Sequence, residues 1–534
     1  METRITNNMR FLSVLLAMVF FFAIGSVSAQ MEQTPRLRPL DFSPFEEALA
    51  GFTEERAAEI GAVVMGAPSI IDVQVAVQGG DFSYEELTLW FLARIRRYDD
   101  TLRSYIELNP NALEEARAAD ALLAEGTILS ALHGIPVNLK DNIETTAPMH
   151  TTGGSEILLN NVPAADAPLV AQLRAAGAVI LGKAGLSEFA GAIDINQPGF
   201  NAVGGQVINP HGPQFSPAGS SAGSGASTAA YLTLVSVGSE TAGSLIAPAS
   251  WNGVVGMYPG DGVVDGAGII PLVTNNDTAG PIGRTVTDVA ILLNAIDTSE
   301  ADYVATLDAA SLSGAQVGVL AGGILTRVSM VDPSGFEDFS DNEALLDRAA
   351  GALEGLGASI VPLAGWSGDT AATVNNVGLT LIGGGIRHDL IGYLINAGAP
   401  VASVDDLQAY NLADPTIRIP VGQGALDGAV ADTTLADSAD YADFTTQVRA
   451  FAIEALESTF AEMGVDVLVT FNNYESTIYA TANYPAISVP LGLRANGMPV
   501  GLTFIGKAGS DAQLLSYAYA FEQATMLRVT PDLE

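Results

Sequence analysis

The chain has 534 residues, no cysteine, and 60 acidic against 22 basic side chains, a formal charge of −38. Without Cys there is no disulfide, thiol nucleophile, Cys-ligated zinc, iron–sulfur cluster or lipid-modified Cys anchor, and so acidic a surface repels nucleic acid, whose phosphates need clustered Lys or Arg. With 48% hydrophobic and 15% charged residues the chain can bury a large core, which excludes disorder.

Arg4 and Arg10 precede an apolar run from Phe11 to Ile24 broken only by Ser13, and Gly25-Ser-Val-Ser-Ala29 follows. A charged start, an apolar stretch and small residues predict a signal peptide over residues 1–29, cleaved after Ala29. An uncleaved anchor is the alternative, but the run is short for the roughly 20 residues of a membrane span. The mature protein is then exported, periplasmic or extracellular, with no stable membrane insertion. Losing Glu2, Arg4 and Arg10 takes the net charge to −39. The acids are scattered, as on a solvated surface suited to salty water.

Residues 30–80 mix Pro, Glu and apolar residues and are expected to wrap the body. Ser83 and Glu86 form a capping box for a helix from Ser83 to Tyr98, with Leu87, Phe91, Ile95 and Tyr98 on one face. A second helix spans Asn111 to Glu125. Beyond it, short β-branched runs at 179–181, 317–320, 465–469 and 486–489 alternate with helical stretches at 167–176, 286–296 and 342–356. This alternation predicts an α/β fold with a mostly buried sheet. Residues 365–440, the least regular and rich in Gly and Asp, read as an insertion or lid.

Two motifs are decoys. Gly177 to Lys183 nearly matches a phosphate-binding loop, but Ala184 stands where the motif needs Ser or Thr, and the intervening residues are strand-like. Gly219-Ser-Ser221-Ala-Gly223 fits a nucleophile elbow, yet a loop precedes it and only His388 lies downstream. His133, His150, His211 and His388 show no ligand spacing, so no metal is predicted.

The chemistry concentrates elsewhere. Lys140, one of three lysines, ends the apolar run of Gly134-Ile-Pro-Val-Asn-Leu-Lys140. Buried there, it would lose its proton readily and act as a base; equally, it could be a structural lysine paired with Asp141. A Gly/Ser-rich tract from Ser216 to Thr228 runs into an Ala-rich, helix-like stretch ending near Val235. Gly238-Ser-Glu240-Thr241-Ala242-Gly243-Ser244 then keeps the backbone N–H groups of 241 to 244 bare, as an oxyanion hole requires, with Ser244 as nucleophile at its end. The competing role for Ser244 is an ordinary helix N-cap.

Together with Gly177-Ala-Val-Ile-Leu-Gly-Lys183, Gly219-Ser220-Ser221, Pro248-Ala-Ser250, Gly253-Val-Val-Gly256, Asp277-Thr-Ala-Gly-Pro281 and Pro485-Ala-Ile-Ser-Val-Pro490, these segments resemble the amidase signature family of serine amidohydrolases over roughly residues 70–300 and 465–527. The resemblance implies one large domain over 30–534, a mixed β-sheet covered by α-helices on both faces, with a variable insertion at about 300–465. It implies a Ser–cisSer–Lys triad of Ser244 (nucleophile), Ser220 (cis peptide) and Lys140, an oxyanion hole on the backbone of Thr241, Ala242, Gly243 and Ser244, Ala190 lining the acyl pocket, and Lys183 as a structural residue. No cofactor is implied.

The implied activity is hydrolysis of a carboxamide, in a small molecule or a peptide, through an acyl-enzyme. Alternatives are an esterase or carbamate hydrolase on the same triad, and a non-catalytic scaffold component of an assembly. The family also includes the catalytic component of a tRNA-dependent amidotransferase, against which the signal peptide and the charge both argue. The chain departs from the usual Asp-Thr-Gly-Gly-Ser-Ile-Arg at the nucleophile. Ile246 replaces the Arg, which leaves Glu240 without a visible mate, and Ala242 and Ala222 replace customary glycines, which requires negative φ at both.

Overall fold

In the computed structural model, which describes residues 35–299, 301–326, 339–366 and 370–533, eleven strands form one sheet. They are β1 (Tyr105–Leu108), β2 (Pro136–Lys140), β3 (Val179–Ala184), β4 (Val235–Glu240), β5 (Val255–Tyr258), β6 (Thr278–Gly283), β7 (Gln316–Val319), β8 (Ser359–Pro362), β9 (Val467–Phe471), β10 (Ala486–Leu493) and β11 (Pro499–Ile505). Their order is β1-β3-β2-β4-β6-β5-β10-β11-β9-β7-β8. β2 runs parallel to β3 and β4, and β7 parallel to β8 and β9; the remaining pairs are antiparallel, so the sheet is mixed. The predicted signal peptide, residues 1–29, lies outside the described residues.

Side chains alternate across a strand, and here both faces are buried. Val467, Val469 and Phe471 of β9 enter one core, shared with the helices Tyr84–Leu102, Val286–Ile296 and Asp511–Thr525. Leu468, between them, enters a second core, built by the helices Thr370–Gly385, Ser438–Met463 and Ser476–Ala482. The sheet is therefore sandwiched between helices, the expected α/β arrangement.

The capping box forms as the sequence predicts: Glu86 N–H donates to Ser83 Oγ at 3.1 Å and Ser83 N–H to Glu86 at 3.0 Å. The described residues of 365–440 are more regular than their Gly- and Asp-rich composition suggests. They are largely helical, with Thr370–Gly385 running through a π-turn at Ile386–Leu390 into Ile391–Asn396, followed by Val404–Ala413, Pro415–Arg418 and Gly424–Ala431. The glycines there serve packing: a Cβ on Gly384 would lie 2.6 Å from the Tyr441 ring, and one on Gly385 2.0 Å from Leu272 O. The Ala-rich helix ends at Ala229 rather than near Val235, which instead opens β4.

That short helix, Ala222–Ala229, positions the Ser220 segment by close backbone approach. Gly223 N–H donates to Gly185 O at 2.8 Å, and a methyl on Gly223 would lie 2.4 Å from Ser104 O and 2.5 Å from Gly185 N. Gly223→Ala is expected to cost about 1–3 kcal/mol by overpacking, seen as a lower midpoint in thermal unfolding.

Candidate active site

Lys140 closes β2 and is fully buried. Its Nζ donates to Ser220 Oγ at 2.7 Å, Ser239 Oγ at 2.9 Å and Ser239 O at 3.0 Å. Burial disfavours the ammonium and pushes the pKa down to about 7, against the opposing pull of the Asp277 and Glu240 charges. Asp141, the alternative partner, turns instead toward Lys183, 3.8 Å away. Lys183 is held by Ile143 O at 2.5 Å and by Thr151 Oγ1 at 2.9 Å, an interior anchor remote from Ser220 in its bonding.

Ser220 follows a cis peptide from Gly219. Its carbonyl accepts from Ser187 N–H at 3.0 Å, while Ser221 N–H donates to Ser244 O at 3.1 Å and Ser221 Oγ to Ser239 O at 3.0 Å. Two stretches 24 residues apart in the chain are thus tied side by side along β4. Lys140 and Ser220 are joined directly; Ser244 is brought to them through its backbone. Among the described residues the Ser244 hydroxyl makes no hydrogen bond, and the residue is half-buried. It is not a helix cap: the following helix, Ile246–Trp251, has Leu245 at its N-cap, with no side-chain capping bond.

Glu240 does have a mate, contrary to the sequence reading. Its carboxylate accepts from Gly243 N–H at 2.7 Å, Leu245 N–H at 2.7 Å and Ile246 N–H at 3.0 Å. Backbone donors thus take the place of the missing arginine. Burial raises the Glu240 pKa, and these three donors pull it back. Gly243 needs its glycine, with φ at 101°, whereas Ala222 and Ala242 both stay out of the left-handed region. The Gly243 N–H is therefore committed to Glu240. The N–H groups of Thr241, Ala242 and Ser244 donate to nothing among the described residues, which is the state an oxyanion hole requires of its donors. The loop is also pinned from the other side, where Thr241 Oγ1 donates to Asp277 Oδ1 at 2.5 Å. Burial pushes the Asp277 pKa up to about 7.

Ser239, Asn142 and Asp277 are site residues that sequence reasoning does not single out. Asp277 opens the 277–281 motif and Ser239 lies inside the nucleophile turn, but neither position advertises its partner.

Ala190 is half-buried in a left-handed turn, with φ at 47° for Phe189, 59° for Ala190 and 95° for Gly191. It packs against the second core, which also holds Ile246. Next to it Glu188 is buried, its pKa pushed by burial up to about 8, with Ala202 N–H donating to it at 3.0 Å. Its folded pKa exceeds its unfolded one, so its contribution to stability is present at acid pH and lost as pH rises toward 8. Glu188→Gln is expected to raise the unfolding midpoint at about pH 9 and leave it nearly unchanged at about pH 5.

The four histidines make structural bonds: His133 Nε2 with Ala119 O, His150 Nδ1 with Glu107, His211 Nε2 with Asn252 O and His388 Nε2 with Leu435 O. Among the described residues no group of three His, Asp or Glu side chains comes together to hold a metal, and no helix is long and apolar enough to cross a membrane. Of the decoys, Val179–Leu181 lies within β3 and cannot cradle phosphate, and residues 207–218 carry no strand ahead of Gly219. A polar cleft of about 480 Å³ contains Asp277, Tyr258, Arg449 and Asn483 but neither Ser220 nor Ser244.

A model of the Amidase family matches residues 86–374 and 444–515. A probable amidase of Arabidopsis thaliana is 33% identical over 495 residues, covering 87% of this chain and 91% of that one. A glutamyl-tRNA(Gln) amidotransferase component of Acinetobacter baumannii is 31% identical over 488 residues, 86% and 96% of the two chains. The native peptide amidase of Stenotrophomonas maltophilia superimposes with a TM-score of 0.78 at 35% identity, over 88% of this chain and 99% of that one. With the match extending over both halves of the sheet and over the Lys140, Ser220 and Ser244 segments alike, the chain belongs to the amidase signature family, enzymes that hydrolyse carbon–nitrogen bonds.

Proposed function

We propose that this protein hydrolyses a carboxamide through an acyl-enzyme on Ser244, with Ser220 and Lys140 as the proton relay. The observation that carries the reading is the 2.7 Å contact of the buried Lys140 Nζ with Ser220 Oγ, at a lysine whose pKa is brought down to about 7. Ser244 Oγ attacks the amide carbon as its proton passes to Ser220 and the Ser220 proton to neutral Lys140. The oxyanion is received by the N–H groups of Thr241, Ala242 and Ser244. The relay then returns a proton to the leaving nitrogen, the C–N bond breaks, and water hydrolyses the Ser244 ester by the same route.

The likeness to a peptide amidase favours a peptide C-terminal amide over aryl or other N-acyl amides. The test is ammonia release from a panel of amides, with matched esters as controls. Ammonia from peptide amides is the expected result; turnover of esters alone would favour the esterase alternative. Similarity to an amidotransferase component is the observation behind a second reading, a part of a larger assembly. Labelling of Ser244 by a fluorophosphonate in the isolated protein supports the hydrolase, and failure to label supports the second reading. Export is part of the proposal and rests on residues 1–29; a mature N-terminus at Gln30 in secreted material is the expected finding.

A further inference from the structure

The three acceptors around Lys140 Nζ come from only two residues, and one of them, Ser239, supplies two. Ser239 is itself held on all sides. Asn142 Nδ2 donates to its Oγ at 2.8 Å, Ser221 Oγ donates to its carbonyl at 3.0 Å, and its own N–H donates to Ser221 Oγ at 3.2 Å. Ser239, Asn142 and Ser221 are all buried, so water does not compete for these bonds.

A neutral amine has two N–H donors and one lone pair, and an ammonium has three donors. The Ser239 carbonyl can only accept, which fixes one N–H of Lys140 in either state. The Ser239 hydroxyl oxygen, already receiving Asn142, takes the second. The remaining tetrahedral position faces Ser220 Oγ. In the neutral amine that position is the lone pair, ready for the Ser220 proton. Once the proton has moved, the same position is the third N–H, and all three donors are satisfied without any heavy atom moving.

We infer that Ser239, braced by Asn142, is a positioning residue that aims the lone pair of Lys140 at Ser220 and receives the ammonium formed during turnover. The inference rests on the proton relay proposed above. The charged groups acting on Lys140, Asp277 and Glu240, are untouched by a change at Ser239, so a shift in pH dependence reports the lost hydroxyl.

The experiment compares Ser239→Ala with Ser239→Thr in pH profiles of kcat and KM. Alanine removes an acceptor from the charged form, so the Lys140 pKa falls. The acid limb of kcat is expected to move about one pH unit lower, and the plateau to drop about tenfold to a hundredfold, with KM unchanged. Threonine, which keeps the hydroxyl, is expected to restore both. Ser239→Cys, whose thiol is a weak acceptor, carries the same readout where alanine fails to fold. A wild-type profile in the alanine variant overturns the inference, as does a loss of activity with the acid limb unmoved or one that threonine does not repair. Lys140→Met separates the two levels: if it is inactive while Ser239→Ala is unaffected, the relay stands and the aiming role falls. If it keeps full turnover, both fall.

Discussion

Ser244→Ala is expected to lower kcat for the best amide by about 10⁴-fold or more, with KM little changed. The substitution removes one oxygen and disturbs nothing else, because the Ser244 hydroxyl makes no hydrogen bond among the described residues. The backbone contacts that shape the loop remain: Ser221 N–H on Ser244 O, and Gly243, Leu245 and Ile246 N–H on Glu240. Substrate should still bind and the oxyanion donors should still point the same way, so a small residual rate above the uncatalysed one is expected. Steady-state kinetics of ammonia release, with far-ultraviolet circular dichroism to verify folding, makes the measurement. A variant within a few-fold of the parent would remove Ser244 from the chemistry.

The second large effect concerns Lys140. Its pKa, brought from 10.5 to about 7 by burial, places the neutral base on the alkaline side of that value. Turnover should therefore reach a plateau above about pH 8 and fall roughly tenfold for each unit of pH below about 6. Lys140→Met keeps the length of the side chain and removes the amine; a loss of about 10³-fold or more at the plateau is expected, together with loss of the acid limb. A linked change appears in stability. Between pH 7 and 10.5 the unfolded chain holds a proton on this residue that the folded one has released, so in the parent this group makes stability rise with pH across that window. In the Met variant that contribution is absent, which thermal unfolding at about pH 7.5 and about pH 9.5 would show as a shallower rise of the midpoint. An unchanged acid limb in the Met variant would assign that ionisation to another group.

Much of the fold is readable from sequence because local signals and burial agree. Ser83 and Glu86 mark a helix start through side-chain chemistry, and the β-branched runs at 179–181 and 486–489 become fully buried strands. The helices within residues 365–440 are hidden in the sequence because Gly and Asp lower helix propensity, while in the folded chain Gly384 and Gly385 let a helix press against Tyr441 and Leu272 O, and tertiary contact outweighs the intrinsic cost. The residues of the proposed triad are named by spacing and resemblance, since Lys140, Ser220 and Ser244 each sit in a distinctive segment, and the structure joins two of them directly. The groups that tune it are not. Glu240 is served by backbone N–H groups, which every residue but proline owns, and Ser239 acts partly through its carbonyl, so residue type alone carries no trace of either role.

The helical region that follows residue 370 does more than cover the sheet. Gly424 N–H donates to Asp194, Ala425 N–H to Ile193 O, and Arg418 reaches Glu156 at 2.9 Å, so the turn bearing Ala190 is clamped by a part of the chain far away in sequence. With Ala190 in its proposed place at the acyl pocket, selectivity becomes a joint property of two segments. Transplanting the 404–431 stretch from a relative without its matching 188–197 turn should yield a folded hybrid with a blurred choice among amides, whereas moving both together should carry the donor's preference with them.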